Sequence, residues 1–175
     1  MTKKNLLVTI ADEGYVDAAK QVFSGAYFNA GWKGDYMLLS YKIPEEKLKW
    51  FRDKGIIVKK CEPLVDEKKF GRWFSAALSR LYLFKTEFKK WNKIVYIDGD
   101  MIIRASLDDL LKINGFAAVD GIHDFKLLFP KNLRKKDYKF YKIIKMKFKH
   151  NSRKFNSGLF VFDTNIINNH QNQNQ

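Results

Sequence analysis

The chain has 175 residues, 46% of them hydrophobic, with 33 basic against 19 acidic side chains and a formal charge of +14. That length suits one domain with a continuous core, and no run approaches the roughly 20 apolar residues of a membrane span. Met1-Thr2-Lys3-Lys4-Asn5 leads straight into an apolar run without a signal-peptide core, and the lone Cys61 excludes an intrachain disulfide framework, so a cytoplasmic protein is expected.

Leu6-Leu7-Val8-Thr9-Ile10 reads as a buried strand. Asp12 can cap a helix running to about Ala30, with Tyr15, Ala19, Val22, Phe23, Ala26 and Tyr27 on its buried face and Gly31 at its end. Tyr36-Met37-Leu38-Leu39 is a second strand, and Pro44 with Glu45 and Glu46 opens a short helix that Gly55 closes. Ile56-Ile57-Val58 is a third strand, with Cys61 after it as a structural thiol. From Trp73 to Trp91 the apolar spacing is helical, with Ala77, Leu78, Leu81, Tyr82 and Phe84 on the buried side. Ile94-Val95-Tyr96-Ile97 forms the fourth strand and ends in Asp98-Gly99-Asp100. Beyond it, Ser106 can cap a helix from Leu107 to Ile113, and Phe116-Ala117-Ala118-Val119 is a short strand. The segment Tyr138–Phe148 fits a helix through Tyr138, Tyr141 and Ile144, and fits an edge strand through the alternation from Ile144 to Lys149. Leu159-Phe160-Val161-Phe162 is a buried strand entered through Asn156-Ser157-Gly158. Residues 1–167 thus read as the domain, and residues 168–175, rich in Asn and Gln without apolar anchors, as a disordered tail.

Strand alternating with helix implies parallel β-α-β units, with ligands bound beyond the carboxyl ends of the strands. Ala11-Asp12-Glu13 and Asp98-Gly99-Asp100 fall at two such ends and would line one crevice. There is no Gly-x-Gly-x-x-Gly after the first strand and no P-loop, which argues against dinucleotide and P-loop sites. The acid pair carries the chemistry. An apolar, β-branched strand that delivers two carboxylates one residue apart suits a hard divalent cation such as Mn²⁺ or Mg²⁺, the kind of ion that holds a diphosphate and neutralises its leaving-group charge. Two acids in a surface turn is the weaker reading, because the strand before them is too apolar to lie exposed. Between Lys131 and Lys154 eleven basic residues face one acid, Asp137. Such a segment attracts phosphate-rich or anionic surfaces and equally fits a solvated lysine-rich face. No dedicated nucleic-acid module accompanies the charge, and a homodimer is compatible with the sequence.

Four segments make the chain resemble the nucleotide-sugar glycosyltransferases of the GT-A fold, a Rossmann-like α/β fold with a mostly parallel central sheet, and most of all the glycogenin and lipopolysaccharide galactosyltransferase group, glycosyltransferase family 8. They are Val8-Thr9-Ile10-Ala11-Asp12-Glu13-Gly14-Tyr15, Ser79-Arg80-Leu81-Tyr82-Leu83-Phe84, the Asp-x-Asp stretch from Lys93 to Leu111, and Phe155-Asn156-Ser157-Gly158-Leu159-Phe160. Their order and spacing resemble the family's from Leu6 to Asp163.

The resemblance implies a metal-dependent transfer of a hexose from a UDP-sugar to a glycan, protein or lipid acceptor, with retention at the anomeric carbon. It implies donor contacts from Thr9, Ile10, Ala11, Tyr15, Arg80, Asp98, Gly99, Asp100, Asn156 and Ser157, metal ligation by Asp98 and Asp100, and catalytic roles for Arg80 and Asp100. Tyr15 fits uracil stacking and core packing equally, Arg80 alone would read as an exposed helix ion pair, and Asn156 and Ser157 alone would read as a polar turn. No nucleophile is assigned, since two-carboxylate logic needs a second spaced pair.

The family's later His-x-x-Gly-x-x-Lys-Pro segment has no counterpart after His123, His150 or His170. The expectation is the amino-terminal part of a catalytic domain, or a shortened relative that acts as a weak UDP-, carbohydrate- or polyanion-binding protein. A haloacid-dehalogenase phosphatase is disfavoured, because its acid pair opens the domain and Ile102 occupies the position of its Thr or Val.

Overall fold

The computed structural model describes residues 3–120 and 155–168. Strands Leu6–Ala11 (β1), Asp35–Ser40 (β2), Ile57–Lys60 (β3), Lys93–Ile97 (β4), Phe116–Asp120 (β5) and Phe155–Asp163 (β6) form one sheet in the order β3-β2-β1-β4-β6-β5. β1 pairs in parallel with β2 and β4, and β2 with β3. β6 runs antiparallel to β4, with Lys93 opposite Asp163 and Ile97 opposite Leu159. The expected mostly parallel α/β sheet is therefore present. The chain divides into a main unit, residues 1–117 and 158–175, and a smaller unit, residues 118–157. The basic segment Lys131–Lys154, with the Tyr138–Phe148 stretch inside it, and the tail beyond Asn168 lie outside the described residues. Among the described residues no helix is long and apolar enough to cross a membrane.

The helices are Val16–Phe28 (α1), Glu45–Asp53 (α2), Glu67–Phe70 (α3), Arg72–Leu78 (α4) and Asp108–Leu111 (α5). α1 buries Val16, Ala19, Val22, Phe23 and Ala26, which pack with Leu7, Leu38, Phe51, Val95, Ile97 and Val161 in one core. Two residues expected on that buried face are not there: Tyr15 is 47% and Tyr27 64% exposed. A 3-10 turn, Glu13–Tyr15, precedes α1 and sets Tyr15 off the helical phase. The Trp73–Trp91 stretch is likewise not one helix. After α4 it tightens into 3-10 segments Ser79–Phe84 and Thr86–Lys90, and the buried residues are Ser75, Ser79, Leu83, Phe88 and Trp91. Leu81, expected inside, is 51% exposed. With three residues per turn instead of 3.6, the buried stripe rotates away from the α-helical one. β3 begins at Ile57 and runs to Lys60, one to two residues later than its apolar run. Cys61 is buried, and burial pushes its thiol up to about 12, as suits a packing residue.

On the sheet's other face the aromatic rings stack. Tyr96 lies on Phe160 at 4.7 Å and 14°, and Phe84 on Phe162 at 4.8 Å and 14°. At the far end of β4, Lys93 is nearly buried and forms an ion pair with Asp163, whose carboxylate also accepts from the Gly115 backbone. The Lys93 hydrogen bond is the main cause that holds the Asp163 carboxyl below its ordinary value.

A lowered native value means that this contribution is fully present above the unfolded carboxylate range and is lost as pH falls through the native value. Asp163→Asn should cost about 2 kcal/mol at neutral pH. Its deficit against the unsubstituted protein, read from urea midpoints, should shrink as pH is lowered below about 4.

Candidate active site

The site is built where β1 and β4 end side by side. After Ala11 the chain leaves the sheet at Asp12, whose Oδ1 accepts from Gly14 N at 3.0 Å and so organises the turn into α1. The same carboxylate reaches Arg72 at 3.7 Å through Oδ2. Tyr15 stands half exposed at this turn.

α4 supplies the facing wall. Trp73, Ala76 and Ala77 share one face of α4 by their i, i+3, i+4 spacing, Arg80 follows in the next 3-10 segment, and all four line the cleft. The opposite side of α4 is anchored by buried Ser75, whose hydroxyl bonds Tyr41 at 2.8 Å. Because Ala76 and Ala77 are small, the wall stays low between Trp73, 74% exposed, and Arg80.

β4 is buried along its whole length, and Asp98 follows it. Its backbone N–H donates to Gly158 O at 2.7 Å, and its carbonyl accepts from Met101 N at 3.2 Å, closing the turn that carries Gly99. Gly99 is buried against β1, where a Cβ would lie 3.4 Å from Ile10 O and 3.8 Å from Thr9 Oγ1. Asp98 is half-buried. Its Oδ1 accepts from the Tyr96 hydroxyl and lies 3.4 Å from Arg80 Nη2. The Arg80 guanidinium sits 5.0 Å from the Tyr96 ring centroid, and its Nε donates to Ala77 O at 2.7 Å. Burial, first of all, pushes the Tyr96 hydroxyl well above its ordinary value, so it keeps its proton and donates. Asp100, one residue past the glycine, is exposed.

Together Ile10, Ala11, Asp12, Tyr15, Trp73, Ala76, Ala77, Arg80, Asp98, Gly99 and Asp100 line a cleft of about 140 Å³. Of the residues expected from sequence, Ile10, Ala11, Tyr15, Arg80, Asp98, Gly99 and Asp100 meet here. Thr9 is fully buried beneath Gly99 and is not a lining residue. The lining residues all belong to the main unit, whereas Asn156 and Ser157 belong to the smaller one, at the start of β6. Asp12 also lines the cleft, at the strand end where the sequence places it, and Trp73, Ala76 and Ala77 are additions. A larger groove of about 660 Å³ between α1 and α2, lined by Tyr27, Phe28 and Trp50, holds no acid pair.

The donor set at the end of β4 is carboxylate oxygen alone, which fits a hard divalent cation. Among the described residues no group of three or more His, Cys, Asp and Glu side chains is placed to hold a metal.

A parallel sheet closed by an antiparallel strand, with acids at the end of its central strand, is the fold of GT-A glycosyltransferases. The galactosyltransferase LgtC, in a structure of an active-site mutant, superposes over 91% of this chain and 57% of its own, with TM-score 0.60 and 18% identity. Core-mannan synthase A of Aspergillus fumigatus, in a Mn/GDP form, superposes over 93% of this chain and 60% of its own, with TM-score 0.55 and 8% identity. The chain belongs to glycosyl transferase family 8, whose profile matches residues 7–175. Galactinol synthase 1 of Solanum lycopersicum is 30% identical to it over 138 residues, which are 70% of this chain and 38% of that protein. The chain thus spans well under two thirds of the length of each of these relatives.

Asp12 has a structural role that stands apart from any ligand. Asp12→Ala should lower stability by about 1 kcal/mol, as loss of a cap does, whereas Asp12→Asn keeps the acceptor and should stay near the parent. Equal urea midpoints for all three proteins would show that the turn does not depend on the side chain.

Proposed function

We propose that the cleft is the donor site of a hexosyltransferase that uses a UDP-sugar with Mn²⁺ or Mg²⁺ and transfers the sugar, with retention, to a glycan, protein or lipid acceptor. The observation that carries this reading is the meeting of the β1 end, the Asp98-Gly99-Asp100 turn and Arg80 in one cleft of the main unit. In family 8, that is the chemistry of a nucleoside diphosphate: backbone and an aromatic ring for the base, carboxylates for a cation, a guanidinium for phosphate charge.

On this reading the uracil ring lies against Tyr15 and the backbone of Ile10 and Ala11. Half exposure of Tyr15 supports the stacking alternative over core packing. Trp73 offers a second exposed aromatic face at the other wall. Gly99 lets the donor approach the main chain, because it adds no Cβ between the acids. Asp98 and Asp100 would hold a divalent cation, which supplies positive charge against the diphosphate as the glycosidic bond breaks. Arg80, held by Ala77 O and Asp98, adds a fixed positive charge at the same end. Asn156 and Ser157 would serve the sugar hydroxyls. At about 140 Å³ the cleft is smaller than the roughly 300 Å³ at which ligand pockets begin, so a UDP-sugar would extend beyond it.

With Asp98 and Asp100 as the proposed ligands, and no group of three candidate ligands among the described residues, cation and UDP should bind mainly together. Isothermal calorimetry of UDP with and without Mn²⁺ tests this. Asp100→Asn removes charge and keeps shape, and Mn²⁺-linked UDP affinity should fall at least ~10-fold, about 1.4 kcal/mol. Undiminished Mn²⁺-linked binding in that variant would remove Asp100 from the site.

A further inference from the structure

Tyr96 belongs to the buried strand, yet its hydroxyl is not explained by packing. The ring is fully buried and stacked on Phe160 at 4.7 Å, and a phenylalanine would fill the same space. A buried hydroxyl costs free energy unless it is hydrogen-bonded. Among the described residues it donates to Oδ1 of Asp98. Residues two apart on a strand point to the same face, so β4 itself brings the phenol under the carboxylate.

We propose that Tyr96 is a positioning residue for Asp98, holding its Oδ1 together with Arg80 so that Oδ2 is the oxygen offered to the donor and its cation. This rests on the donor-site reading above. The backbone of Asp98 is fixed by the bonds to Gly158 and Met101, but those bonds leave the side-chain torsions open. Two donors converging on one oxygen, the Tyr96 hydroxyl and Arg80 Nη2 at 3.4 Å, select a single rotamer. The donors are themselves rigid. Tyr96 is clamped by the aromatic stack, and Arg80 by its bond to Ala77 O and its position over the Tyr96 ring. A carboxylate has acceptor sites to spare, so committing Oδ1 leaves Oδ2 able to bind. The ordering cost of the acid is met on folding and not on ligand binding. Asp100, exposed beyond the glycine, meets no such clamp among the described residues and is the acid that adapts to the bound ion. The two carboxylates are thus unequal: one is preset and the other is adjustable.

A double-mutant cycle tests the link. Tyr96→Phe, Asp98→Ala and the double variant are compared with the unsubstituted chain by calorimetry of UDP with Mn²⁺, and by thermal melting in the same buffer. Tyr96→Phe keeps the stacked ring, so it should melt at or above the parent temperature while losing roughly 10-fold in Mn²⁺-linked UDP affinity, as loss of a hydrogen bond to a charged group does. In the Asp98→Ala background the same substitution should cause no further loss, because no carboxylate remains to position. Parent-like affinity in Tyr96→Phe overturns the inference. So does an equal loss in both backgrounds, which would mean that the hydroxyl acts through the fold at large. Failure of the unsubstituted chain to bind UDP with Mn²⁺ is a different result: it overturns the donor-site reading, and this inference with it.

Discussion

β4 has sheet neighbours on both edges, and that constraint organises the molecule. Each of its residues from Lys93 to Ile97 is buried, so its peptide groups must find partners within the sheet. β1 supplies them in parallel on one side and β6 antiparallel on the other. The ladder ends at the Asp98 N–H, which still bonds Gly158 O. One residue later the chain turns, and the acids begin. The carboxylates are therefore held by the last rung of a two-sided ladder. Because β1 runs parallel to β4, its own carboxyl end arrives beside them with Ala11 and Asp12.

Charge is arranged around that rung with economy. Asp12 faces Arg72 and Asp98 faces Arg80, each acid meeting a guanidinium from the α4 segment. The Arg80–Asp98 contact is mostly enclosed, with side-chain exposures of 15% and 30%, so solvent screens it less than the surface pairs elsewhere. The wider pair at Asp12 is more exposed and contributes less. Between these pairs the alanines of α4 keep the wall apolar and low.

Much of this was legible in the sequence because burial and chemistry coincide on β4. A β-branched run that stops at Asp98 reads as a buried strand delivering acids to its end, and Asn156-Ser157-Gly158 announces another buried strand, whose antiparallel pairing with β4 only the structure gives. The misplaced features share a different cause. Leu81 fits an α-helical apolar face, yet the switch to 3-10 geometry after Leu78 rotates that face and leaves Leu81 exposed, whereas Trp73, on α4 before the switch, shares the cleft side of the helix with Ala76 and Ala77. Tyr15 fits the α1 stripe by spacing, but the turn that Asp12 organises precedes the helix and takes Tyr15 out of phase. Asp12 reads both as a cap and as a residue at the end of the first strand, and the parallel pairing of β1 with β4 brings it into the cleft as that reading implies. Thr9 carries a hydroxyl and sits on the right strand, but alternation turns it under Gly99. It entered the expected site through the family resemblance of the segment from Val8 to Tyr15, which does not say which way its side chain faces.

The role argued for Tyr96 follows from a gradient that no motif expresses. Along five residues of one strand and its turn, burial falls from a fully enclosed Tyr96, through a half-buried Asp98, to an exposed Asp100. Each position gives an oxygen a different character. Enclosed, the phenol is fixed and keeps its proton. Half-buried, the first carboxylate has one oxygen committed to protein donors and one left for a ligand. Exposed, the second is hydrated and can move with what it binds. A ligand approaching from solvent meets the adaptable acid first and the preset one second. On the donor-site reading, such a gradient would capture charge at the rim and define geometry at the base, the order that suits a flexible, hydrated diphosphate.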